Sequence, residues 1–235
     1  MQDSLKIPNH LAIIPDGNRR WSKQHKMPPW KGHWEGAETM DKFFNWCLEL
    51  GVPQVSIWIG STENLSARPI RELSELFKAY YAFLDRLEKK QPILDKYQVK
   101  VRFIGDLGKL PKRMLKIMRN IMSATARYQK RVLNILVHYG GKFEILNIMK
   151  KIAEKAVRFG KIEITEKDIE RNLMVPIPVD LVIRTGGTAR LSNFMMWQAS
   201  YAELIFLNKL WPDFTRKDLE KCLKEYSNRK RNFGK

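Results

Sequence analysis

Asp16 is the one carboxylate in the run LAIIPDGNRRW at residues 11–21, and an acid set among arginines after an apolar strand can grip a metal-bound polyanion. The apolar residues 11–14 read as a buried strand, Pro15 ends it, and Gly17 permits a tight turn that brings backbone N–H groups close to a ligand. Phosphates take the forked donors of Arg19 and Arg20 and the amide donors around Gly17 and Asn18, while a hard cation takes the oxygens of Asp16. The combination suits a Mg²⁺-diphosphate. On local chemistry alone, a basic turn capping a helix accounts for the same residues equally well.

Such residues need a frame. Apolar, β-branched runs recur at 11–14, 54–59, 99–104, 132–138, 180–183 and 203–206, separated by helical patterns at 35–50, 71–91, 111–129, 143–159 and 215–229. This alternation predicts a single α/β domain over residues 1–235, a mainly parallel six-stranded sheet flanked by about five to seven helices. Gly51-Val52-Pro53 is a helix stop, and Thr165 with Asp168 has the spacing of a capping box. Ligands of open α/β sheets bind beyond the carboxyl ends of the strands. Four of those ends are polar: residues 16–20, 60–64, 138–141 and 184–187, which predicts one convergent site.

The formal charge of +18 and pI near 9.9 suit nucleic acid, anionic substrates or a membrane surface. Much of the excess falls on helical patterns whose lysines face solvent, and no zinc-finger or RNP-type motif supports base readout, so nucleic acid is not an expected partner. No apolar stretch approaches the roughly 20 residues that span a bilayer, and the polar start is no signal peptide, which predicts a cytoplasmic protein. Cys47 and Cys222 lie in helical patterns and read as packing residues.

The ordered motifs make the chain recognisable. DGNRRW, His33 in KGHWEGA, STEN at residues 61–64, YGG at 139–141 and RTGG…RLSNFMMWQASYAEL from Arg184 resemble the cis-prenyltransferases, the undecaprenyl diphosphate synthase family, over essentially the whole chain. The resemblance implies that fold and repeated condensation of isopentenyl diphosphate onto an allylic diphosphate, with Z double bonds, in a Mg²⁺-dependent homodimer that makes polyprenyl diphosphate for a glycan carrier lipid. It implies that Asp16 organises Mg²⁺ and the allylic diphosphate, that Gly17, Asn18, Arg19, Arg20 and Trp21 form the cradle, and that His33, Ser61, Thr62 and Glu63 stand near the same phosphates. Arg68 joins them with a one-residue shift in register, and Asn64 positions the condensing unit, an amide being a poor base. Arg184, Arg190, Leu191 and Ser192 would hold isopentenyl diphosphate, and Glu203 would be a second Mg²⁺ carboxylate, from the same site or a second subunit. Leu76, Phe77 and Tyr80 would wall the tunnel for the growing chain.

The chain departs from the family where Thr188 and Ala189 replace the usual Glu and Gln or His, and where Pro29 replaces an arginine. Asp16 and Glu203 are retained, which favours an active enzyme with altered substrate handling. A non-catalytic partner subunit is the competing expectation, and a basic nucleic-acid-binding module a weaker one. The basic C-terminal helix is a candidate for peripheral docking on anionic lipid.

Overall fold

Among the described residues, six strands form one sheet in which every pairing is parallel. The computed structural model describes residues 5–61, 70–160 and 163–229. Along the chain these give β1 (His10–Ile14), α1 (Asn18–Gln24), α2 (Pro29–Glu49), β2 (Gln54–Ser61), α3 (Ile70–Lys89), α4 (Gln91–Tyr97) and β3 (Val99–Ile104). Then come α5 (Lys112–Thr125), β4 (Arg131–Tyr139), α6 (Gly141–Phe159), α7 (Glu166–Asn172), β5 (Leu181–Arg184), β6 (Glu203–Phe206) and α8 (Arg216–Asn228). The spatial order β3-β4-β2-β1-β5-β6 runs one way from β1 to the first half of the chain and the other way to the second half. The reversal lies between β1 and β5, where an open α/β sheet leaves a crevice.

The alternating strand residues feed two cores. On one face Leu11, Ile13, Ile57, Ile135 and Ile183 pack under α2, α3, α5 and α8, through Phe43, Leu84, Met114 and Leu223. On the other, Ala12, Ile14, Leu136 and Val182 pack against Val175, Val179, Phe194, Met195 and Ala199. Every buried member of this second cluster lies in a strand or an irregular segment, and the first turn of α6 abuts it through the buried Glu144, which accepts from the Tyr139 hydroxyl.

The helices differ from expectation in number and in one boundary. Eight are present among the described residues, because α1, α4 and α7 are seven-residue pieces too short for a periodic signal. Helix α2 begins at Pro29 rather than near residue 35, since proline is tolerated in a first turn, where its missing N–H has no helical partner. The capping box is present: the Asp168 carboxylate accepts from the Thr165 N–H at 3.0 Å. Both cysteines are buried and unpaired, and burial pushes the Cys222 thiol up to about 12. Helices α1 and α2 meet closely because Gly32 has no side chain, a Cβ there falling 1.9 Å from the Asn18 carbonyl oxygen.

Beneath the second core a polar chain crosses three strands. Asn134 on β4 donates to Ser56 Oγ on β2 at 3.0 Å, and Ser56 Oγ lies 2.7 Å from His10 Nε2 on β1. The other ring nitrogen, Nδ1, is 3.0 Å from the Pro178 carbonyl, so the neutral tautomer with Nδ1–H donates to that carbonyl while Nε2 accepts from Ser56. Burial lowers the His10 pKa from 6.5 to about 4. Between those values the unfolded chain binds a proton that the folded chain refuses, so stability falls as pH drops through that window. Urea unfolding should show a loss of about 3 kcal/mol between pH 7.5 and pH 4 from this residue. His10→Gln should flatten that limb; an unchanged acid slope in the variant would assign the loss to other groups.

Candidate active site

The chain leaves β1 at Ile14 and turns through Pro15 and Asp16, and Gly17 at φ 114° feeds it into α1. This conformation is rarely open to a residue with a Cβ. One strand over, Ile14 is in register with Arg184, the last residue of β5, so the acid and the arginine stand side by side across the sheet reversal. Thr185 clamps the turn: its hydroxyl donates to the Asp16 carbonyl at 2.8 Å and accepts from the Asp16 N–H at 3.0 Å. The Asp16 carboxylate accepts from Arg184 Nη2 at 2.8 Å and from Arg20 Nη2 at 3.2 Å.

The distal half is a strained loop fixed at its far side. Ser192 and Asn193 have φ 53° and 71°, values that cost energy for residues other than glycine. Asn193 meets the start of α6 twice, its carbonyl accepting from the Gly141 N–H and its Oδ1 from the Lys142 N–H, each at 2.7 Å. Phe194 stacks on Trp58 with centroids 5.1 Å apart. Below, the buried Glu144 accepts from the Tyr139 hydroxyl at 2.6 Å, from Gln198 at 3.0 Å and from the Met174 N–H at 2.6 Å. Burial and the Glu144 charge push the Tyr139 phenol far up, keeping it protonated as the donor. Ser192 Oγ accepts from Arg184 Nη1 at 2.8 Å and from Arg190 Nε at 3.1 Å, so the two arginines and the serine form one cluster.

From this mouth a cleft of about 610 Å³ runs between α2, the end of β2 and α3. Its mouth is lined by Asp16, Gly17, Asn18, Arg19, Arg20, His33, Ser61, Arg184, Arg190 and Ser192. Its interior is lined by Ala37, Met40, Ile59, Leu76, Ala79, Tyr80 and Phe83. The α3 positions follow helical spacing, 76, 79, 80 and 83. Phe77 stands outside this lining: one residue on from Leu76, it is turned about 100° away and packs beside the core. Trp21 also stands outside the lining, its Nε1 donating to Asp213 at 2.7 Å and its ring stacked on His25. Leu191 packs against the second core rather than the cleft.

Glu203 is not brought to this mouth. It opens β6 in register with Leu181 and hence with Leu11, whereas Arg184 pairs with Phe206, so Glu203 is roughly 10 Å down the strand from the Arg184 end. There it accepts from Arg229 Nη1 at 2.7 Å. Within one chain the two acids stand at opposite ends of the sheet. Thr62, Glu63, Asn64 and Arg68 lie outside the described residues.

Sequence reading passed over Glu72. In the first turn of α3 and 7 % exposed, its Oε1 lies 3.5 Å from Arg19 Nε and 3.8 Å from His33 Nε2. Its signal was present: Glu72 heads the same i, i+4 stripe as Leu76 and Tyr80, and an acid at the head of an apolar stripe is buried against something cationic.

A family signature described as putative undecaprenyl diphosphate synthase matches residues 14–234, spanning both halves of the mouth. The chain belongs to that family. An isoprenyl transferase of Thermotoga maritima is 40 % identical over 232 residues, 98 % of each chain. A geranylgeranyl-diphosphate-specific tritrans,polycis-undecaprenyl-diphosphate synthase of Pyrobaculum aerophilum is 40 % identical over 238 residues, covering 99 % of this chain and 98 % of that one. Among solved structures, lavandulyl diphosphate synthase from Lavandula x intermedia, in complex with dimethylallyl diphosphate, superposes with a TM-score of 0.90 at 32 % identity, over 97 % of this chain and 98 % of that one. The protein is thus a transferase of prenyl groups.

Because Glu72 faces both Arg19 and His33, Glu72→Gln should raise the KM for an allylic diphosphate by about tenfold, the scale of one charge-assisted contact, and leave that for isopentenyl diphosphate near its original value. Steady-state kinetics with each substrate varied in turn checks this; equal rises in both would make Glu72 a general structural support.

Proposed function

We propose that the mouth joins isopentenyl diphosphate to an allylic prenyl diphosphate with Z geometry, and that the product lengthens into the apolar cleft. The observation that carries this reading is the continuity of a cationic mouth with an interior of Leu76, Ala79, Tyr80 and Phe83. A diphosphate head and a hydrocarbon tail need those two environments in that order.

In this reading Gly17, Asn18, Arg19, Arg20, His33 and Ser61 hold the allylic diphosphate, and Arg184, Arg190 and Ser192 hold isopentenyl diphosphate. The arginines act through forked contacts that strengthen as charge gathers on the leaving diphosphate. No group of three or more acid, histidine or cysteine residues clusters among the described residues. One carboxylate beside diphosphate oxygens nevertheless suits Mg²⁺, which keeps waters and binds through few protein ligands. Asp16 would hold it, and the ion would neutralise charge as the C–O bond breaks. Asn64 would position the condensing unit, with a diphosphate oxygen as proton acceptor.

The family resemblance supports a homodimer and a product serving as glycan carrier lipid. Helix α6 offers a surface for the second copy, with Leu146 and Met149 exposed at 52 % and 62 %. No helix among the described residues is long and apolar enough to cross a membrane, and a cytoplasmic enzyme docking peripherally on anionic lipid accords with the basic charge.

The test is incubation of purified protein with Mg²⁺, labelled isopentenyl diphosphate and allylic primers of several lengths, with products resolved by length and double-bond geometry. Incorporation with Z bonds is expected, and none with any primer would overturn the reading. Asp16→Ala should lower turnover by at least about a hundredfold in protein that is still folded at the assay temperature, with a lowered unfolding midpoint because Arg184 loses its counter-charge; near-normal turnover would remove Asp16 from the mechanism. Phe83→Ala should shift the product distribution to longer chains, since it enlarges the deep end of the cleft. An unchanged distribution would move the length limit elsewhere.

A further inference from the structure

Both oxygens of the Asp16 carboxylate are engaged by arginines. Oδ1 accepts from Arg20 Nη2 at 3.2 Å and Oδ2 from Arg184 Nη2 at 2.8 Å, one arginine from each half of the mouth. Arg20 also reaches the Gly186 carbonyl through Nη1, and Arg184 reaches Ser192 Oγ through Nη1. The Arg184 side chain is 5 % exposed and its Nε has no partner among the described residues, so this cation is deeply placed and retains donor capacity. The guanidinium hydrogens that hold Asp16 are those a phosphate would use, and the Asp16 oxygens held by arginine are those a divalent cation would use. At Asp16 the arginines and a cation therefore compete for the same two oxygens, and a phosphate competes with the carboxylate for the same hydrogens.

We propose that Asp16 is an exchangeable internal anion: it holds Arg20 and Arg184 in the ligand-free protein, and a divalent cation and a diphosphate displace those contacts together. The cation takes the carboxylate as the diphosphate takes the arginines. This rests on the mouth being a diphosphate site. A cation arriving alone strips a buried guanidinium of its counter-charge, which is costly. A diphosphate arriving alone is pressed against the displaced carboxylate, a like-charge contact. Arriving together, each relieves the cost of the other, so binding is positively and reciprocally coupled.

Calorimetric titration of the full chain with inorganic pyrophosphate tests this, with and without MgCl₂, at constant ionic strength and corrected for Mg-pyrophosphate formation in solution. Mg²⁺ should tighten binding to the unmodified protein by at least about tenfold. In Asp16→Asn that effect should vanish, and binding without Mg²⁺ should become tighter than in the unmodified protein by about fivefold, because the arginines are released. Asp213→Asn, which removes one charge at the Trp21 rim, should keep the Mg²⁺ effect and gain little affinity without it. Absence of coupling in the unmodified protein, its persistence in Asp16→Asn, or equal Mg²⁺-free gains in the two variants would overturn the exchange. Failure of pyrophosphate to bind under any condition would instead overturn the diphosphate reading itself.

Discussion

The ion pair between Asp16 and Arg184 is the constraint around which the molecule is arranged. Arg184 is almost wholly buried at the end of a strand, and a buried guanidinium without an anion is strongly destabilising. The anion must come from the neighbouring strand, which fixes β5 beside β1 and sets Ile14 against Arg184. A slip of one residue would turn Arg184 to the other face of the sheet and leave its buried charge without an anion. The Thr185 hydroxyl, bonded to both backbone groups of Asp16, reinforces that register where the strands end.

The rest of the mouth follows from what can be brought up to this pair. Helix α1 carries Arg20 to the same carboxylate and Arg19 to Glu72, so acids from two different elements hold the cations of one short helix. The bare backbone of Gly32 lets α2 approach α1, and α2 in turn supplies His33 and the apolar Met40. Polar and apolar environments are thereby set side by side on shared elements. Much of the positive charge of the chain lies away from the mouth, including exposed lysines of α5, α6 and α8, where it shapes the surrounding field more than the site.

The strands were legible to within a residue or two, because β-branched runs bounded by Gly, Pro and polar clusters leave few other readings. Their polar ends pointed to one site, and the parallel sheet places them at one edge. Helix α1 was not legible: its residues carry the cradle motif, seven residues give no periodicity, and the segment read as a loop. Glu203 shows a different limit. A residue that opens a parallel strand lies opposite the residues that follow the strands, so of the two placements that the resemblance implied, the predicted topology already disfavoured the one within a single chain. Glu72 was missed because a charge at a helix start reads as a favourable dipole contact and draws no further question.

Part of one face of the sheet is covered by Phe194, Met195 and Ala199, and these residues follow Arg190 and Ser192 closely. The loop that presents the distal cluster is therefore also a load of apolar side chains whose release would expose a core. The amides of Phe194 and Ala199, buried and bonded to the Leu191 and Met195 carbonyls, should exchange with solvent more slowly than those of an ordinary surface loop. Rigidity at this half of the mouth is inherited from packing, and sequence drift there is restrained by folding as well as by chemistry.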